Sequence, residues 1–426
     1  MNRGLSTGML NVFRRLVAGE RSAVFAFHPY DGSPVDLFGA HDAYIHIPYC
    51  RNRCRFCPYN TRPYDPSEFR QFFQSLAAET RRAAAEGATA AGRSLYIGGG
   101  TPTCACEHLR VYLSVFSEAL GAPSSIAVET TPEELSPPCL RALKDAGVTQ
   151  LSVGIQSFDR DTLAALGRGA SARDRRALLA LAADAGFANL NVDLMHSTRD
   201  GTLSGLERDI RTAMASGADQ ITVYPLFDFS SAATVADRTF EGVRMPTLSG
   251  RRRFYRLVWS LMESEGFSPV SVWSFRREGK GPSFSSVQRH GFIGLGPGAA
   301  TSLDDRFLFN TFDTRAWMER LGHEQSPYSL QMPLSRNLRA LYDLYWELYA
   351  CHLPLSLSRD LRNRRFLSVC AAAVRGLGFA RADGRLTEKG AFWIHWLQNL
   401  YVLDYIDRVW TASKATPFPE RVDLTP

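Results

Sequence analysis

The chain has 426 residues, 45% of them apolar, and a formal net charge of +6, which suits one large domain and a smaller one. The charge is mild and spread out, so no nucleic-acid partner is indicated, and Arg251, Arg252 and Arg253 read as a solvated helix face. No segment reaches the ~20 apolar residues of a membrane span, and no signal-peptide pattern follows Arg3, Arg14 and Arg15.

Residues 1–42 show no strong period and read as an N-terminal extension. From residue 43 a rhythm sets in. Short β-branched runs at 44–47, 95–97, 126–129, 151–155, 190–194 and 221–224 alternate with helical patterns at 66–86, 107–119, 137–146, 159–167, 171–186 and 202–216. Gly87, Gly147, Gly186 and Gly217 stand where helices should end. Six strand–helix units predict parallel strands with right-handed crossovers. They are too few for an eight-fold barrel. The expected class is therefore α/β, a partial (β/α)6 TIM-like barrel within 43–320, with functional groups at the C-terminal strand ends. A helix is expected at 246–266, a linker at 327–333, and a small, mainly helical, winged-helix-like domain at 335–415 with a glycine-rich interruption at 376–384.

Three of the eight cysteines are clustered after the first strand, in the run Tyr44-Ile45-His46-Ile47-Pro48-Tyr49-Cys50-Arg51-Asn52-Arg53-Cys54-Arg55-Phe56-Cys57. The C-x3-C-x2-C spacing lets one tight loop place three thiolates on three corners of an iron–sulfur cubane. The fourth iron stays open, as an open position marks a catalytic metal site, and can take the amino and carboxylate groups of S-adenosylmethionine (SAM). An electron from the cluster then breaks a C–S bond of SAM to give the 5′-deoxyadenosyl radical. A zinc site is the bland alternative, but the paired C-x2-C spacing is lacking and the nearest candidate fourth ligand, His46, lies inside the strand. The other cysteines, Cys104, Cys106, Cys139, Cys351 and Cys370, are scattered; Cys104 and Cys106 read as inert loop thiols rather than a second metal pair, and Cys351 as structural. Clustered free thiols suit a reducing cytoplasm.

Further candidates end the following strands. Gly98-Gly99-Gly100-Thr101 lets backbone approach a ligand closely. Glu129, Gln156 and Asp193 end the third, fourth and fifth strands, and Arg168 follows the next helix. Each alone reads equally well as a surface or capping residue; together they suit the ribose hydroxyls and carboxylate of SAM. Tyr44 and Phe56 flank the cysteines, and Phe56 can pack on adenine or simply in the core.

The order of these motifs, with Val153-Gly154-Ile155-Gln156-Ser157-Phe158-Asp159, Leu166-Gly167-Arg168 and Asn191-Val192-Asp193-Leu194-Met195, resembles the oxygen-independent coproporphyrinogen III oxidases of the radical SAM superfamily. The resemblance spans residues 43–310. It implies a [4Fe–4S] cluster on Cys50, Cys54 and Cys57, and two SAM molecules side by side. It also implies SAM contacts from Tyr44, Gly99, Gly100, Thr101, Glu129, Gln156, Arg168 and Asp193. The chain departs from the oxidases at Tyr59, where they carry another cysteine, and at Ser197-Thr198-Arg199, where Gly-Leu-Pro is usual. Trp273-Ser274-Phe275, Ser285-Ser286-Val287-Gln288-Arg289 and the segment 294–300 resemble class C radical SAM methyltransferases and cyclopropane-forming enzymes. That places a second SAM near Trp273, Phe275 and Ala300. The expected function is transfer of a SAM-derived methylene to an unsaturated carbon of a small aromatic or heterocyclic natural product. The alternatives are a coproporphyrinogen dehydrogenase, a haem-degrading methyltransferase, and a haem chaperone. The resemblance further implies a monomer served by a low-potential donor of the flavodoxin or ferredoxin type.

Overall fold

All six expected strands form, each extending up to two residues beyond its apolar run. The computed structural model describes residues 26–168, 174–196, 201–227, 229, 247–280 and 291–424. Strand β1 (Ala26–Pro29) precedes the barrel strands β2 (Asp42–Ile47), β3 (Ser94–Gly99), β4 (Ser125–Thr130), β5 (Gln150–Gln156), β6 (Asn189–His196) and β7 (Gln220–Pro225). Each is parallel to the next. Between them run α1 (Phe69–Ala85), α2 (Cys106–Leu120), α3 (Pro137–Asp145), α4 (Arg160–Ala165), α5 (Arg175–Asp184) and α6 (Leu203–Ala215).

Period-two alternation sorts the barrel into two faces. Ile45, Ile97, Val128, Leu151, Val153, Val192 and Ile221 are all below 2% exposed and pack against helix residues such as Phe72, Leu113 and Leu143. The intervening positions are polar or aromatic. Pairing sets Tyr44 beside Tyr96, Glu129 beside Ser152, and Thr222 beside Asp193. These residues line the lumen, so the chemistry-bearing set is the by-product of the same register that builds the core.

The barrel does not close on itself. Beyond β7 lie β9 (Ser274–Arg277), antiparallel, and β8 (Phe267–Pro269) after α7 (Leu248–Ser264). Beyond β2 lie β10 (Phe292–Leu295), parallel, then β11 (Ala300–Ser302), β12 (Arg306–Asn310) and β13 (Tyr328–Pro333). Helix α8 (Thr314–Gly322) joins the last two. The linker expected at 327–333 is thus a sheet strand. Its prolines sit at or just outside its ends, where a missing N–H is tolerated, and Leu330 between them is fully buried.

The extension expected over 1–42 supplies β1, which lies between β13 and a C-terminal strand, β14 (Val422–Asp423). Phe27, Leu330, Val409, Val422 and Leu424 share one small core there. The helical region comprises α9 (Arg336–Tyr349), α10 (Arg364–Gly376) and α11 (Glu388–Ala415). Antiparallel bridges His352–Arg385 and Ala380–Leu386 form the small hairpin at its glycine-rich interruption. Among the described residues no helix is long and apolar enough to cross a membrane.

Candidate active site

Strand β2 ends in the cysteine loop, which backbone bonds tie to the barrel mouth. Gly100 N–H donates to the Ile47 carbonyl (2.8 Å), Thr101 N–H to the Tyr49 carbonyl (2.7 Å) and Tyr64 N–H to the Cys50 carbonyl (2.8 Å). A Cβ at Gly100 would stand 2.6 Å from the carbonyl oxygens of both Pro48 and Tyr49. Only glycine permits that approach, which gives Gly100 a packing reason independent of any ligand.

The three thiols are partly exposed on one loop. Cys50 lies 3.4 Å from the Thr101 hydroxyl, and Arg168 Nε donates to the Cys54 sulfur at 3.0 Å. Burial pushes Cys50 up to about 11 and Cys57 up to about 12, with neighbouring thiols adding to the rise. As free thiols they are protonated, so taking up iron must release protons. Among the described residues no three His, Cys, Asp or Glu side chains converge on one ion. Three soft thiol donors on one loop suit three corners of an iron–sulfur cubane. His46 is fully engaged elsewhere: Nε2–H donates to the Asn60 carbonyl and Nδ1 accepts from the Tyr44 hydroxyl, each at 2.8 Å. Burial lowers it to about 4, so it is a neutral structural histidine.

Beside the thiols lies the polar lumen. Glu129 accepts from the Tyr96 hydroxyl and from Gly99 N–H at 3.3 Å. Asp193 accepts from the Ser152 hydroxyl (3.0 Å) and the Asn191 amide (2.9 Å). Burial raises Glu129 to about 7, with the Asp193 charge adding to it, and raises Asp193 to about 6. Gln156 takes a positive φ of 67° at the β5 end and accepts from the Tyr224 hydroxyl at 2.8 Å. Arg168 also donates to the Gly154 carbonyl at 2.7 Å, bridging the lumen floor to Cys54. Phe56 packs with Leu166, Met195, Tyr224 and Leu226 at the mouth.

The structure therefore brings together Tyr44, Phe56, Gly99, Gly100, Thr101, Glu129, Gln156, Arg168, Asp193 and the three cysteines. Trp273 precedes β9 and meets Phe227, Tyr255 and His395, while Ala300 opens β11. Phe275 is fully buried against Trp259, so it offers no surface to a second nucleoside. The candidate segments 197–199 and 285–289 lie outside the described residues. Cys106, expected as an inert loop thiol, is joined to Cys139 in a disulfide at the starts of α2 and α3.

Several neighbours have no place among the sequence candidates. Tyr96, Ser152, Asn191 and Tyr224 occupy lumen-facing positions that the strand alternation marks once the register is known. Trp410 and Lys414 arrive from α11. The Lys414 ammonium donates to the Pro58 carbonyl, and Trp410 packs on Tyr59 and Phe229. More than 350 residues separate Lys414 from Pro58, and no local pattern announces such a contact.

Residues 44–212 match the Radical SAM superfamily model. The chain is 27% identical over 292 residues to the haem chaperone HemW of Bacillus subtilis, covering 67% of this chain and 77% of that protein. It is 27% identical over 284 residues to the oxygen-independent coproporphyrinogen III oxidase of Paracoccus denitrificans, covering 63% of this chain but only 61% of the oxidase. The fold is similar to that of coproporphyrinogen III oxidase (HemN) from Escherichia coli, with a TM-score of 0.73 at 19% identity, covering 88% of this chain and 94% of that one. Residues 44–212 are thus similar to the radical SAM superfamily, whose members use a [4Fe–4S] cluster and SAM.

Proposed function

We propose that the chain is a radical SAM enzyme acting on a flat, conjugated-ring small molecule. The observation that carries SAM chemistry is the meeting of three thiols, Arg168 and the two lumen carboxylates at one barrel mouth. Cys50, Cys54 and Cys57 would hold the cluster. When bound, the cluster supplies the electron that cleaves SAM. Glu129, Asp193 and Gln156 would accept hydrogen bonds from SAM's amino group and ribose, while Arg168 would steady Cys54 and the SAM carboxylate. The barrel's share of the catalysis is positioning and exclusion of water.

The substrate class is supported by a run of rings over the mouth. Tyr224 stacks on Phe227, Phe227 meets Phe229, Phe229 stacks on Trp410, and Trp410 packs on Tyr59. Neighbouring centroids are 5.6–6.4 Å apart. Such a wall favours a planar π-system. The relatives' names put a tetrapyrrole first among such substrates. Methylene transfer from a second SAM to an aromatic or heterocyclic compound is the second reading, favoured by Tyr59 at the position where the oxidases carry cysteine.

The deciding experiment is anaerobic turnover with methyl-labelled SAM, read by product mass. Loss of carbon dioxide from coproporphyrinogen III supports the oxidase-like form. A labelled carbon in the product, with S-adenosylhomocysteine or a derived thioether beside 5′-deoxyadenosine, supports the transfer form. Tightly held haem without any SAM cleavage would overturn the enzyme reading in favour of a chaperone.

A further inference from the structure

The turn that ends β5 rests on a buried carboxylate of α6. Asp209 is 8% exposed. Its Oδ2 accepts from the Ser157 hydroxyl at 2.6 Å and its Oδ1 from the Phe158 N–H at 3.0 Å. Ser157 N–H closes on the Ile155 carbonyl at 2.9 Å, which puts Gln156, with its φ of 67°, at the centre of a three-residue turn. A side-chain-bearing residue rarely holds that backbone, so the turn depends on what grips it. The two residues that follow Gln156 are both gripped by Asp209.

A second arm leaves the same carboxylate. Ser157 Oγ, donating to Asp209, accepts from the Asp159 N–H at 3.0 Å, and Asp159 in turn caps α4 by accepting from the Thr162 N–H at 2.8 Å. Helix α4 has only six residues. Arg168 stands just beyond it, its N–H donating to the Leu163 carbonyl at 2.9 Å, and the Leu166 carbonyl accepts from the Arg55 N–H of the cysteine loop at 3.2 Å. The start of α4 therefore sets where Arg168 begins its reach to Cys54 and Gly154. Among the described residues no ion pair occupies Asp209, and both its oxygens serve this turn. Plain helix packing would be met by an apolar side chain, since a buried carboxylate is costly without such partners.

We propose that Asp209 is a positioning residue of the SAM site, fixing Gln156 and Arg168 together from α6. The proposal rests on the radical SAM reading above. It makes SAM affinity and the surroundings of the Cys54 sulfur depend on one side chain that touches neither.

The test has an iron-free and an iron-loaded part, both on the full chain. In the iron-free chain, amide hydrogen exchange read by mass spectrometry should be faster over residues 156–168 in D209A than in wild type, with β2, β3 and β4 protected as before. In the iron-loaded chain, D209A should hold as much iron as wild type but bind SAM about tenfold more weakly by equilibrium dialysis, the size of one lost hydrogen bond. Its cluster should also show a lower reduction potential in an EPR-monitored titration, because a donor to a ligating sulfur favours the more negative, reduced state. D209N keeps an acceptor for the Phe158 N–H and should fall between the two. S157A removes one of the two bonds and should give the same changes at smaller size, which decides the matter if D209A does not fold. Unchanged exchange over 156–168 overturns the proposal. So do wild-type SAM affinity and potential in D209A, and so does faster exchange spread evenly over the barrel, which would make Asp209 a stability residue only. A wild-type protein that takes up iron but binds no SAM breaks the radical SAM reading instead, and the exchange result still shows whether Asp209 holds the turn.

Discussion

Cys54 differs from its two neighbours in having a charged partner. Arg168 donates to its sulfur, whereas Cys50 meets a hydroxyl. Charge-assisted hydrogen bonds to a thiolate stabilise the ligating form, so Arg168 favours iron binding. Reconstituted wild type should hold about four irons per chain. Cys54→Ala should lose most of that iron and all SAM cleavage, while Cys104→Ala keeps both; full cleavage by Cys54→Ala would refute the assignment. The two lumen carboxylates make a separate pH prediction. Burial raises Glu129 to about 7 and Asp193 to about 6, so both are partly protonated below neutrality. Only the ionised forms accept hydrogen bonds from ribose hydroxyls and the amino group with full strength. SAM affinity, measured by equilibrium dialysis, should therefore rise from pH 6 through pH 8. In Glu129→Gln the upper part of that rise should disappear. A flat profile in wild type would remove both residues from the SAM site. The identity of these residues was legible from their strand-end positions. Their partners were not, because Tyr96, Ser152 and Asn191 gain meaning only from the register of one strand against the next.

At the scale of elements, the barrel was readable because its outward positions are uniformly Ile, Leu and Val, and period two is a strong signal. Strand β13 was misread because prolines suggest a linker until Leu330 is seen in the core. A second feature hidden from the sequence is Glu79, on the inner side of α1. Its carboxylate accepts from Gly296 N–H at 2.7 Å, Asn310 Nδ2 at 2.7 Å and Trp317 Nε1 at 3.2 Å. One buried side chain thus ties α1 to the turn after β10, to β12 and to α8. Burial outweighs these bonds and raises Glu79 from its ordinary 4.5 to about 7. The stability it contributes is complete below pH 4.5 and is lost as pH climbs through 7. The full difference is of the order of 3 kcal/mol at most. Glu79→Gln should flatten this pH slope in urea unfolding. Glu79→Ala should cost roughly 3–5 kcal/mol, since three buried donors lose their acceptor. An unchanged slope in Glu79→Gln would mean that the carboxylate stays ionised when folded.

For the whole molecule, the chain termini matter more than a division at residue 335 allows. Strand β1 is held between β13 and β14, so the first and last described strands seal one sheet edge together. Between β13 and β14 the chain makes the helical region, and α11 returns across the barrel mouth with Trp410 and Lys414. The Thr311 hydroxyl donates to the Pro417 carbonyl at 2.7 Å just beyond α11, fixing where that helix ends. We infer that barrel and helical region unfold together and that the last ten residues position α11. Burying Val422 and Leu424 contributes about 3–6 kcal/mol together, at roughly 1.5–3 kcal/mol for each side chain. Deleting residues 417–426 should therefore lower the melting temperature by several degrees. It should also loosen the Tyr59–Trp410 contact, so that dithionite-driven turnover of a ring substrate falls. SAM cleavage without substrate should survive, because every proposed SAM contact lies between Tyr44 and Asp193. Calorimetry of the intact chain should show one transition. Two separated transitions, or a truncated chain that melts like the intact one, would mean that the C-terminal helices fold as a module of their own and that β14 merely trails along the sheet edge.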